Sequence, residues 1–172
     1  MIKEYGSRVL YKECQAIDID GGELDSPEFK QLVNKLKAAL VLQDGLGLAA
    51  PQIGVSKRVA AYRNEGEKDI HTLVNPKIIK TSDEMWSYHE GCLSIPGMWF
   101  MIERPKTVTI ETYDQWGKLS TIKGEEMLGR IFQHEIEHLN GRILECQLDE
   151  EQLASLKKWN QDRYSKKKKR KK

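Results

Sequence analysis

The sequence predicts one α+β domain: short, mostly antiparallel strands packed around a central helix that carries His134-Glu135-Ile136-Glu137-His138, with a further helix towards the C-terminus. Three observations carry this. A length of 172 residues suits a single domain with its own core. Apolar residues recur at helical spacing in separate stretches, and between them lie short β-branched or alternating runs.

Ser26-Pro27-Glu28 is a helix start, with a Ser cap, Pro in the first turn and an acid near the positive end of the dipole. Phe29, Leu32, Val33, Leu36 and Leu40 continue it as a core-facing stripe to about Gln43. Gly45 and Gly47 stop that helix and open a tight loop. Residues 55–62, 72–75 and 84–88 read as short strands. Residues 107–113 alternate, turn at Asp114-Gln115-Trp116-Gly117 and return through 118–122 as a hairpin. A second helix is expected to begin near 124–126 and to end at Asn140-Gly141, with Gly supplying the left-handed residue. Met127, Leu128, Ile131, Phe132, Ile136 and Leu139 surround its polar residues with core. A third helix, 149 to about 164, carries Leu153, Leu156 and Trp159. Residues 1–165 are thus expected to form one domain, and 166–172 a basic, disordered tail.

That tail reads KKKKRKK and holds +7 within a formal net charge of +2, so residues 1–165 carry −5. An acidic body with a basic end suggests a separate partner for the end. No stretch approaches the roughly 20 apolar residues needed to cross a bilayer, so no membrane role is expected. The N-terminus lacks the apolar core of a secretory signal. Cys14, Cys92 and Cys146 cannot all pair and form no CxxC, which points to the cytoplasm or an equivalent reducing compartment. Cys14 and Cys146 read as ordinary buried or half-exposed thiols.

His134 and His138 carry the chemistry. At about 100° per residue they lie within about 40° of each other on one helix face, so two imidazoles can bind one ion. Glu135, about 60° to one side of His138, can reach a water held there. This is a layout for metal-assisted hydrolysis. A catalytic ion normally takes three protein ligands. Downstream the chain offers only acids, such as Glu145, Asp149, Glu150 and Glu151. Upstream, Cys92 in Glu90-Gly91-Cys92-Leu93-Ser94 would complete a Cys-His-His set, soft enough for zinc and able to hold ferrous iron. His71 and His89 lack ligand spacing.

Three segments together resemble the peptide deformylase family. Gly45-Leu46-Gly47-Leu48-Ala49-Ala50-Pro51-Gln52 is similar to its GxGxAAxQ motif, residues 90–94 match EGCLS at every position, and residues 133–141 resemble QHExDHLxG. The similarity extends from about 43 to 143. Two departures stand out. Glu137 takes the place of the usual Asp, facing away from the ligands. Tyr5-Gly6-Ser7-Arg8-Val9-Leu10 lacks the Pro-Asp pair that often opens these enzymes.

The resemblance implies removal of the N-formyl group from the initiator methionine of nascent polypeptides, releasing formate. It implies that Cys92, His134 and His138 hold one divalent metal: ferrous iron in the cell, with zinc, nickel or cobalt as substitutes in a purified sample. Glu135 would be the general base, while the Gln52 side chain and the Leu93 backbone N–H would face the oxyanion. Gly45, Leu46, Gly47, Tyr88, Met127, Arg130 and Ile131 would bind substrate, Arg130 lending its aliphatic stem while its guanidinium stays in water. Glu90 and Arg104 would pair behind Cys92; Trp99, read from its own position, would either line the outer groove or pack on the surface. The C-terminal helix and basic tail would meet ribosomal RNA through phosphate contacts. The alternatives are an HExxH zinc peptidase and a non-catalytic homologue that binds metal or ribosome.

Overall fold

Helix α1 (Pro27–Leu42) starts where its cap dictates. The Ser26 hydroxyl oxygen accepts from the Phe29 backbone N–H at 3.1 Å, and Pro27 fills a first turn where no amide is required. Phe29, Leu32, Val33, Leu36 and Leu40 are all buried, as the helical spacing predicts. The computed structural model describes residues 1–169.

Seven strands follow in chain order: β1 (Gly47–Ala49), β2 (Val59–Tyr62), β3 (His71–Thr81), β4 (Met85–Cys92), β5 (Ile95–Pro105), β6 (Thr107–Tyr113) and β7 (Leu119–Glu125). Five of them form an antiparallel sheet in the order β1-β2-β3-β6-β7, and β4 and β5 pair with each other as a separate hairpin. Helix α2 (Glu126–Leu139) packs on one face of the large sheet and α1 on the other. Strand β2 is therefore buried at every residue: Ala60 and Tyr62 face α2, while Val59 and Ala61 face α1. Two alanines suit a strand with helices on both sides, because small side chains let both layers approach. Tyr62 meets Phe132 of α2 edge-on, with ring centroids 5.0 Å apart.

Helix α2 ends as expected, with Asn140 as cap and Gly141 at φ 70°. Beyond it, helix α3 (Glu150–Lys169) returns across the hairpin, and Leu144 and Leu156 join Cys92, Ile95, Phe100 and Ile102 in a third apolar cluster.

The differences from expectation have physical reasons. The segment expected as a strand from 55 becomes one only at Val59, where burial on both faces begins. Strand β3 runs on past Asn75, which takes the left-handed conformation at φ 52° and exchanges hydrogen bonds with the Ile17 backbone through its side chain. Gly47 belongs to a short strand rather than a loop. Helix α3 continues to Lys169, so the basic run expected as a disordered tail is helical over 166–169; Lys is a good helix former and no Gly or Pro intervenes. Residues 170–172 lie outside the described residues.

Leu36 is fully buried between α1 and the sheet. Leu36→Ala is expected to cost about 3 kcal/mol, read as a lower urea midpoint at unchanged slope in the metal-free protein.

Candidate active site and metal centre

Strand β4 delivers Cys92 at its end, and one turn of α2 delivers His134 and His138 opposite it. Cys92 Sγ lies 3.2 Å from His138 Nε2. One donor atom each from Cys92, His134 and His138 fall within 4.8 Å of one another, which the diameter of a single coordination sphere requires. His134 Nδ1 donates to Glu90 Oε1 at 2.6 Å, which turns its Nε2 towards the same point. Burial opposes ionisation of the Cys92 thiol, but the facing His138 and His134 outweigh it and hold the thiol well below its usual range. For His134 burial favours the neutral ring, yet Cys92 and Glu90 draw its affinity for a proton well above normal. A thiolate and an imidazole that hold protons in this way, with His138 Nε2 beside them, suit a divalent cation, which replaces the protons and takes the same electron pairs. The donor set fits such an ion.

Glu135 lies beside this cluster and is 2% exposed. Burial pushes its carboxyl up to about 7, and its Oε2 has no protein partner among the described residues. The short 3₁₀ turn Ala50–Ile53 aims Gln52 at the same point. Its Oε1 accepts from the Ala49 N–H at 2.8 Å, which turns the amide nitrogen towards Cys92 Sγ (3.6 Å) and Ser94 Oγ (3.3 Å). Gln52, Cys92, His134 and Glu135 line a cavity of about 530 Å³ whose walls also include Gly45, Leu46, Gly47, Tyr88, Met127, Arg130 and Ile131. The volume suits one apolar side chain with adjoining backbone.

The sequence profile of the polypeptide deformylase family matches residues 1–153. The chain belongs to the polypeptide deformylase family. Its relatives include peptide deformylase 1 of Nostoc sp., 36% identical over 147 residues that cover 84% of this chain and 76% of that protein. The peptide deformylase of Borreliella burgdorferi is 38% identical over 148 residues, covering 86% of this chain and 84% of the other. The crystal structure of a Legionella pneumophila peptide deformylase superposes with a TM-score of 0.86 at 29% identity, covering 99% of this chain and 97% of that one. That of a Synechococcus elongatus peptide deformylase in complex with actinonin does so with a TM-score of 0.81 at 31% identity, covering 91% and 82%.

The three deformylase motifs meet in space: β1 and its 3₁₀ turn, the end of β4, and α2 surround one cavity. Leu93 lies on its wall next to Cys92. Trp99 lies at the rim, 68% exposed, with its ring over Gly91. Glu90 and Arg104 form the expected pair, with two contacts of 2.7 and 2.8 Å.

Arg130 is the correction. Its guanidinium was expected in water, yet the side chain is 3% exposed. It donates to Glu90 Oε2 at 2.8 Å and to the Trp86 carbonyl at 2.7 Å, and it lies 5.0 Å from the centroid of the Trp86 ring. Arg130 therefore forms cavity wall and charge partner at once. Ser94, Trp86 and Gln147 join the site without a role predicted from the sequence. Ser94 lay within a quoted motif, so its signal was available. Trp86 and Gln147 gave none, since their partners are 44 and 10 residues away. His71 and His89 stand apart from the cluster: His71 stacks on Tyr62 and His89 is exposed.

Proposed function

We infer that this chain hydrolyses the N-formyl group of the initiator methionine of nascent polypeptides, releasing formate. The observation that carries this is the clustering of Cys92, His134 and His138 beside one cavity that Cys92, His134, Glu135 and Gln52 all line. Cys92, His134 and His138 hold the metal, which on the family resemblance is ferrous iron, with zinc, nickel or cobalt as substitutes. When bound, the metal supplies Lewis acidity that makes a water acidic and polarises the formyl carbonyl.

Glu135 takes a proton from the attacking water as its oxygen bonds to the formyl carbon. Gln52 Nε2 and the Leu93 backbone N–H donate to the oxyanion that develops on the former carbonyl oxygen. Gln52 suits this role because the Ala49 N–H already occupies its oxygen, leaving only the donor end turned inwards. Glu135 then returns the proton to the departing nitrogen. The C–N bond breaks, and formate and a free α-amine leave. Leu46, Tyr88, Met127, Arg130 and Ile131 enclose the methionine side chain, while Gly45 and Gly47 let substrate backbone pair alongside β1.

The catalytic unit is residues 1–165. The basic end, 166–172, together with α3, makes phosphate contacts with ribosomal RNA, in a compartment that is the cytoplasm or its reducing equivalent. Among the described residues no helix is long and apolar enough to cross a membrane.

Protein prepared without oxygen and loaded with ferrous iron is expected to release formate from formyl-Met-Ala-Ser and to lose that activity on adding actinonin. A chain that holds one metal per molecule yet releases no formate would overturn this reading.

A further inference from the structure

Behind the ligand set, one run of charged contacts leads from His134 to the segment before α3. Glu90 is the hub: it accepts from His134 Nδ1, from Nε and Nη2 of Arg104, and from Arg130 Nη1, all within 2.6–2.8 Å. Arg104 Nη2 is shared, reaching Glu137 Oε2 at 2.9 Å. Gln147, in the turn after α2, donates to the other Glu137 oxygen. The side chains of Glu90, Arg104 and Arg130 are at most 6% exposed and that of Glu137 is 16% exposed, so solvent screens this set poorly.

Charge balance gives Glu137 its task. Two arginines face Glu90, and Glu90 alone neutralises one of them. Glu137 neutralises the other. Without it, one uncompensated positive charge would stand beside the site for a divalent cation. Arg104 would also bind Glu90 without competition, drawing the carboxylate off His134.

We propose that Glu137 is a positioning residue for the metal centre, acting through Arg104 and Glu90 on His134, with Gln147 holding Glu137 in place. In this chain one Glu137 oxygen meets Arg104 while the other meets Gln147. This rests on the metal reading above but not on the deformylase reaction.

The test uses the full chain loaded with cobalt(II), whose thiolate charge-transfer band reports the intact Cys92 site. Loss of that band to excess EDTA is followed in wild type, Glu137→Gln, Glu137→Asp and Gln147→Leu. Glu137→Gln keeps the shape and removes the charge, so it is expected to lose cobalt about tenfold faster than wild type. Glu137→Asp keeps the charge and should stay within about threefold, with Gln147→Leu a few-fold faster than wild type. A purely structural role would instead lower the melting temperature of the metal-free proteins and leave the rates alike. Equal rates in Glu137→Gln and wild type, or equally fast loss in the Gln and Asp variants, would overturn the proposal. If Glu137→Gln does not fold, the half-exposed Gln147→Leu decides the matter, a wild-type rate overturning it. A wild type that holds no cobalt would overturn the metal reading and this inference with it, whereas the formate assay alone bears on the reaction.

Discussion

Glu135→Gln is expected to lower kcat for formate release by about 1,000-fold while leaving metal content unchanged. In the proposed reaction the carboxylate moves the same proton twice, from water and then to the departing nitrogen, and an amide does neither. It is not a ligand, so the cluster of Cys92, His134 and His138 should load normally. Stability should move the other way. Glu135 is buried, its Oε2 lacks a protein partner, and burial raises its carboxyl to about 7. A neutral amide in that position removes the cost of burying a charge. The metal-free variant is therefore expected to be more stable by about 1 kcal/mol, or about 2–4 °C in melting temperature. Stability lost at an active site to hold a reactive group is a recognised trade-off. Calorimetry beside the formate assay separates the outcomes. A variant that loses both activity and stability would make Glu135 a structural residue instead.

The elements legible in the sequence were those whose inner and outer faces differ in polarity. The stripe of α1, the alternation of β6 and the core positions of α2 all follow from spacing alone. Strand β5 did not, because its burial contradicts its chemistry. Phe100, Ile102 and Arg104 point inwards while Trp99, Met101 and Glu103 point out, so a buried charge and two exposed apolar residues erase the alternation. The same inversion hid the charge network. Arg130 read as solvent-facing by type but is buried against Glu90, and Arg104, which the motif resemblance pairs with Glu90, is buried against Glu137 as well. Partners 14 to 40 residues apart leave no local spacing for sequence reading to use. The cluster of Cys92, His134 and His138 was legible for a different reason. Metal chemistry restricts donors to a few residue types, and a helix turn fixes the spacing of two of them.

Gly47→Ala should cost at least about 100-fold in turnover, although one methyl group is all it adds. The motif reading gives Gly47 one task, to let substrate backbone approach. The structure gives it a second. A Cβ built at Gly47 would lie 2.2 Å from Glu135 Oε1 and 2.8 Å from its Cδ, inside any allowed contact. Gly47 is not among the residues with positive φ, so alanine fits the backbone and the conflict is with the Glu135 side chain. The carboxylate must swing away, and a displacement of about 1 Å at a reacting group can cost about 100-fold. The expected result is a 100-fold or greater loss in kcat with folding and cobalt binding unchanged. Gly45→Ala is the comparison: its Cβ would meet Leu93 Cδ1 at 3.0 Å and Leu40 Cδ1 at 3.1 Å, ends of flexible side chains that give way, and about a tenfold loss at most is expected. Equal losses in the two variants would mean that both glycines serve substrate approach alone. Unchanged kcat in Gly47→Ala would mean that Glu135 acts from another rotamer.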